Sequence, residues 1–272
     1  MHVCACDFGT GGAAFATVEF FFEFFLMKIN VFAQISMKTK REVMKIMLVA
    51  AVAFGAACGA MAQEKWTGIS RYAADNAQRI AEANTSQCIV MMGNSITDNW
   101  ATFHPEFFKR HRELVPRGIS GQTSYQMLVR FREDVLNLQP KAVVINCGTN
   151  DIAENFGIAY VEQNTLGNIK SMVELAKANH IEPVLSSVLP AKVMYWAKDK
   201  THIADKIRSL NQKIKAYAEQ EGLKYIDYYA PLVYGKECEL NPDFTRDGVH
   251  PTLDAYIQVM EPLLLQTLNL QP

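Results

Sequence analysis

The sequence predicts an α/β protein: a three-layer α/β/α sandwich built on a five-stranded parallel sheet. Short apolar runs alternate with amphipathic segments from residue 71 to the C-terminus. The runs are apolar throughout rather than at every second residue, which is the pattern of strands covered on both faces. Right-handed crossovers between such strands place the intervening helices on both sides of the sheet.

The elements follow in order. Residues 71–84 read as a helix. Cys88-Ile89-Val90-Met91-Met92 is a buried strand that stops at Gly93. Residues 113–119 form a weaker strand. Thr123-x-x-Gln126 is a capping box, and the helix it opens runs to about Asn137. Ala142-Val143-Val144-Ile145-Asn146-Cys147 is the clearest strand, β-branched and bounded by Pro140 and Gly148. Leu166, Ile169, Val173 and Ala176 recur at helical spacing, as do Ile203, Ile207, Leu210, Ile214 and Ala218. Strands are expected at 183–189 and 223–228. Leu253, Ile257, Met260 and Leu264 line a last helix.

The first 62 of the 272 residues read differently. Lys38, Lys40, Arg41 and Lys45 precede an apolar run, Met47 to Ala57, and Ala60-Met61-Ala62 offers a small-x-small cleavage site. A basic, an apolar and a small-residue region in that order make a secretory signal peptide over 37–62. The run is shorter than the ~20 apolar residues of a spanning helix. A lipoprotein signal would use Cys58, but Gly55 stands where such signals carry Leu. Residues 1–36, with their Phe20-to-Phe25 cluster, are no part of a signal and read as an unstructured or mis-called extension, with Met37 or Met44 as the start. Cleavage after Ala62 leaves 272 − 62 = 210 residues, one domain over 63–272 that is expected to be secreted or periplasmic.

Composition excludes several classes. A net charge of −1 with no basic run after residue 62 argues against a nucleic-acid partner. Cys88, Cys147 and Cys238 are odd in number and lack CxxC spacing, so they form neither a disulfide framework nor a zinc site. Cys88 and Cys147 sit in strand-like runs and are expected in the core. His104, His111, His180 and His202 have no metal-ligand spacing and are expected at the surface.

Four stretches carry the chemistry: Gly93-Asn94-Ser95-Ile96-Thr97, Gly118-Ile119-Ser120-Gly121, Gly148-Thr149-Asn150-Asp151 and Asp247-Gly248-Val249-His250-Pro251. Each has an ordinary explanation when taken singly. A serine after a strand commonly caps a helix, and the others suit loops, caps and turns. Their placement is what argues for a site. Each stretch follows a predicted strand, so all fall at the carboxyl edge of the sheet, where open α/β sheets bind ligands. A serine hydroxyl needs a base to attack an ester, a neutral imidazole needs its second nitrogen held by a carboxylate, and the resulting oxyanion needs fixed donors. Asp247 and His250 are three residues apart, and Gly248 permits the turn that joins them. Thr97 breaks G-x-S-x-G, so the nucleophile elbow of α/β-hydrolases fits poorly.

In order and spacing the four stretches resemble the SGNH hydrolases, the GDSL-type esterase/lipase family, across the whole of 63–272. The resemblance implies a flavodoxin-like sheet and a carboxylic ester hydrolase working through an acyl-enzyme without metal or other cofactor. It implies Ser95 as nucleophile, His250 as base and then acid, and Asp247 as its orienting carboxylate. It implies an oxyanion hole of the Ser95 and Gly121 backbone amides and the Asn150 side chain. Asn94 stands where the family usually has Asp. Trp100, Tyr195 and Trp196 are expected to line the substrate pocket. The mature chain shows no long apolar lid, which favours short acyl esters, acetyl first, on a carbohydrate. A lysophospholipase, lipase or thioesterase is the alternative within the fold, and a non-catalytic carbohydrate-binding protein is the alternative outside it.

Overall fold

The computed structural model describes residues 37–83 and 85–271; the 1–36 extension lies outside the described residues. The chain divides into two compact units between Ala62 and Gln63. The basic and apolar segments belong to one helix, α1 (Met37–Thr67), of which the residues from Gln63 onward are part of the second unit's sequence. No helix among the described residues is long and apolar enough to cross a membrane.

The second unit is the expected sandwich. Its strands are β1 (Ile89–Gly93), β2 (Leu114–Gly118), β3 (Ala142–Ile145), β4 (Glu182–Ser186) and β5 (Lys224–Ile226), all parallel, in the order β2-β1-β3-β4-β5. This is the flavodoxin-like order, with its topological switch between β1 and β3. Consecutive residues of β1 enter opposite layers. Val90 and Met92 join a core with Phe131, Ile169 and Leu210, whereas Ile89 and Met91 join one with Trp100, Phe107, Tyr256 and Leu264. Both faces are buried, so the strand must be apolar throughout rather than at alternate positions.

Helices α2 (Ala73–Ala81), α5 (Ser124–Asp134), α7 (Glu162–Ala178) and α8 (Ile203–Glu221) match the predicted periodic segments. The capping box forms as predicted: the Thr123 N–H donates to Gln126 Oε1 at 2.9 Å. Three features differ from expectation. The region after β1, where the sequence pattern marks no element, is helical, as α3 (Ser95–Phe103) and α4 (Pro105–Arg110), and it places Asp98 on α3. The last helix is broken into α10 (Leu253–Ala255), a π-helical turn (Tyr256–Met260) and α11 (Glu261–Leu268). Pro262 stands in the first turn of α11 and has no N–H to continue the ladder, which accounts for a break there. Between β5 and α10, after the short α9 (Tyr229–Leu232), two-residue strands β6 (Val233–Tyr234) and β7 (Glu239–Leu240) pair antiparallel. Two residues are too few to leave a periodic signal.

Candidate active site

β1 delivers Ser95. Asn94 is the N-cap of α3, its Oδ1 accepting the Ile96 N–H at 3.0 Å, and Ser95 is the first helical residue. The cap is therefore the asparagine and not the serine, whose hydroxyl is left for other work. The Ser95 Oγ lies 2.9 Å from His250 Nε2.

The loop after β7 delivers the other two groups. Its Asp247 Oδ2 is 2.7 Å from His250 Nδ1, and its Oδ1 accepts the backbone N–H of His250 at 2.8 Å and of Val249 at 2.9 Å. Gly248 takes φ +80°, a left-handed turn that other residues rarely adopt. Thr245 closes the loop, accepting the Gly248 N–H at 3.0 Å and donating to the His250 carbonyl at 2.8 Å. Burial pushes the Asp247 carboxyl up, but the hydrogen bonds from the His250 ring and the two backbone N–H groups prevail and hold it at about 2. It is thus a carboxylate near neutral pH, suited to fix the tautomer of the imidazole beside it.

The turn after β2 carries Gly121 at φ +82°. The turn after β3 becomes α6 (Thr149–Ile152), with Asn150 2 % exposed. Asn150 Nδ2 donates to the Gln122 carbonyl at 2.9 Å, tying the β2 turn to the β3 turn. Asp151 reaches across to the start of α5, accepting the Ser124 N–H at 2.9 Å and the Ser124 hydroxyl. Burial raises its carboxyl, with these bonds opposing the shift.

A supporting layer escaped the sequence reading. Arg130 and Asp134, both fully buried, pair at 2.7 Å on α5. The Arg130 guanidinium also donates to the Gly93 and Arg117 carbonyls, each at 2.9 Å, and to Gln122 Oε1 at 2.6 Å. It therefore braces the ends of β1 and β2 from behind the site. Asp98 joins α3 to the β2 turn through the Ser120 hydroxyl at 2.7 Å. An Arg and an Asp four residues apart look in sequence like an exposed helix pair; only their burial reveals the role.

Trp100 corrects the expectation that it lines the pocket. It is 1 % exposed, stacked between Phe107 and Tyr256, and its indole N–H donates to Glu261 at 3.1 Å. Its place on the inner face of α3 turns it into the core. His104 and His111 likewise depart from the surface: His104 Nδ1 lies 2.6 Å from Glu261 Oε1, and His111 is 7 % exposed. Cys88 and Cys147 are buried as expected. Tyr195 and Trp196 are at the site. Both are exposed, at 53 % and 37 %, with ring centroids 6.5 Å and 5.9 Å from the His250 ring. No cluster of potential metal ligands occurs among the described residues.

The comparisons bear on the family and the fold. The GDSL-like Lipase/Acylhydrolase family matches residues 91–256. A GDSL-like lipase from Bacteroides thetaiotaomicron VPI-5482 is 49% identical, covering 75% of this chain and 98% of its own, with a TM-score of 0.71. An acetylxylan esterase from Geobacillus stearothermophilus shares the fold at 16% identity, covering 69% of this chain and 97% of its own, with a TM-score of 0.55. The Bacillus subtilis (strain 168) lipoprotein YqeF is 34% identical over 80 residues, a match that spans 33% of that relative's length. The chain belongs to the GDSL-like lipase/acylhydrolase family, within the SGNH hydrolases, and is a carboxylic ester hydrolase.

Proposed function

We propose that Ser95 is the nucleophile of this esterase and that it acts on short acyl groups, acetyl first, carried by a carbohydrate. The observation that carries the mechanism is the line from Ser95 Oγ through His250 to Asp247, with contacts of 2.9 Å and 2.7 Å. His250 Nε2 takes the hydroxyl proton as Oγ bonds to the ester carbonyl carbon. The oxyanion is met by the backbone N–H groups of Ser95 and Gly121 and by the Asn150 side chain, whose amide nitrogen carries a second hydrogen besides the one given to Gln122. His250 returns the proton to the leaving alcohol, and the acyl-enzyme forms. Water then repeats the sequence and releases the acid. No cofactor is required by this route.

The substrate reading rests on the rim. Val193, Tyr195 and Trp196 are exposed on the 190–200 segment, whereas Met194 between them is in the core. Lys192, Lys198 and Lys200 flank them. An exposed aromatic beside the base offers a flat face to the C–H side of a sugar ring. Long acyl chains need a contiguous apolar lining, each buried CH₂ gaining ~0.8 kcal/mol, and this charged segment is poorly suited to supply one. The test is kcat/KM on p-nitrophenyl acetate, butyrate, octanoate and palmitate, followed by acetate release from acetylated xylan. An acetate optimum is expected; an optimum at octanoate or beyond would favour a lipase or lysophospholipase instead.

Export is part of the same reading. The three regions of 37–62 support a signal peptide cleaved after Ala62, and similarity to a lipoprotein supports export by one route or another. Intact mass should give Gln63 as the first residue; a lipidated Cys58 would make the protein membrane-anchored.

A further inference from the structure

Asn155 lies just beyond α6 and touches both halves of the site. Its Nδ2 donates to the Gly121 carbonyl at 2.9 Å, and its Oδ1 accepts the Trp196 indole N–H at 2.9 Å. The orientation of this carboxamide is fixed by its partners. A carbonyl can only accept and an indole N–H can only donate, so a flipped amide would lose both bonds.

Each bond restrains a group that its own backbone leaves loose. Gly121 has no side chain and a left-handed φ of +82°, so its N–H is not directed by local sterics. The Asn155 bond to its carbonyl supplies that restraint from one side, and Asn150 holds the next carbonyl, that of Gln122, at 2.9 Å from the other. Trp196 is a partly exposed ring in a segment without regular secondary structure, yet it stacks on His250 at 5.9 Å with an interplanar angle of 30°. Its indole bond to Asn155 sets that angle.

The backbone around Asn155 is built for this contact. Glu154 and Phe156, on either side, adopt φ of +57° and +60°, which is uncommon for residues other than glycine. Such conformations persist where the surroundings over-determine them. Here Glu154 pairs with Lys200 at 2.7 Å, so the 153–158 and 190–200 segments are fastened together twice, four residues apart on the second.

We propose that Asn155 is a positioning residue of the esterase reaction: one carboxamide holds Gly121, an oxyanion donor, and Trp196, the ring that braces His250. The proposal rests on the roles assigned to Gly121 and His250 above. It predicts a loss in kcat rather than in binding, because a donor or base displaced by a fraction of an ångström weakens the transition state more than the ground state.

Three single substitutions and the double variant Asn155→Ala/Trp196→Phe separate the two arms. Asn155→Ala removes both bonds. Asn155→Asp keeps the acceptor for Trp196 but sets an acceptor against the Gly121 carbonyl. Trp196→Phe keeps a ring on His250 but has no N–H. Kinetics on p-nitrophenyl acetate and the rate of Ser95 labelling by a fluorophosphonate are measured for each. Asn155→Ala and Asn155→Asp should lower kcat about 10- to 100-fold with KM within about threefold. Trp196→Phe should lower kcat by about threefold in the wild-type background and not at all in Asn155→Ala, where the N–H has already lost its acceptor. A kcat within twofold of wild type for both Asn155 variants, or a Trp196→Phe loss equal in both backgrounds, overturns the proposal. Absence of labelling in the wild-type protein would instead overturn the nucleophile assignment on which it rests. If Asn155→Ala fails to fold, the isosteric Asn155→Asp and Trp196→Phe decide.

Discussion

Asp247 holds His250 at two points, the backbone N–H through Oδ1 at 2.8 Å and the ring Nδ1 through Oδ2 at 2.7 Å. One carboxylate thereby fixes both the course of the loop and the orientation of the imidazole. Its loss should be felt in catalysis and in stability together.

In catalysis, Asp247→Asn is expected to lower kcat about 10²–10⁴-fold, because an amide facing Nδ1 favours the tautomer that cannot accept the serine proton. Steady-state kinetics on p-nitrophenyl acetate would check this. A loss below tenfold would mean that the loop orients His250 without the charge.

In stability, the sign follows from a carboxyl lowered from 3.8 to about 2. Above about pH 4 it is ionised in both folded and unfolded chains, and its native bonds stabilise the fold. As pH falls toward about 2 it must be protonated, and that contribution disappears. Thermal melts should show wild type above Asp247→Asn at pH 6, with the gap closing between pH 4 and pH 2. A gap independent of pH would refute the linkage.

Ser95→Ala should abolish fluorophosphonate labelling, which wild type should take up once per chain. Labelling that survives the substitution would place the nucleophile elsewhere.

Asn150→Ala should lower kcat about 10²–10³-fold, as for a single oxyanion donor. Because the same side chain holds the Gln122 carbonyl, the melting temperature should fall as well. A drop in melting temperature with kcat unchanged would mark the amide as structural alone.

The two tryptophans should separate cleanly. Trp100→Ala removes a buried ring and leaves Glu261 without its indole partner, and should cost about 3–5 kcal/mol in chemical denaturation. Trp196→Ala, at a partly exposed position, should cost about 1 kcal/mol or less while lowering activity. The reverse ranking would return Trp100 to the pocket.

By itself the sequence determined the layers, the strand runs and the order of Ser95, Gly121, Asn150, Asp247 and His250. Those depend on local rules: a doubly covered strand is apolar throughout, a capping box announces its helix, and residues after parallel strands share one edge. Tertiary structure alone decided which side chains meet. Trp100 and Trp196 are equally aromatic in sequence, but the helix after β1 turns the first into the core while the 190–200 segment lays the second on His250. Arg130 and Asp134 have the spacing of an exposed pair and are fully buried. Asn155, at the start of a short 3₁₀ turn, has no partner pattern in sequence; the fold brings Gly121 and Trp196 to its two sides, 34 and 41 positions away. Spacing along a chain encodes periodicity and order; contacts between distant segments depend on how the layers pack, and no local pattern carries them.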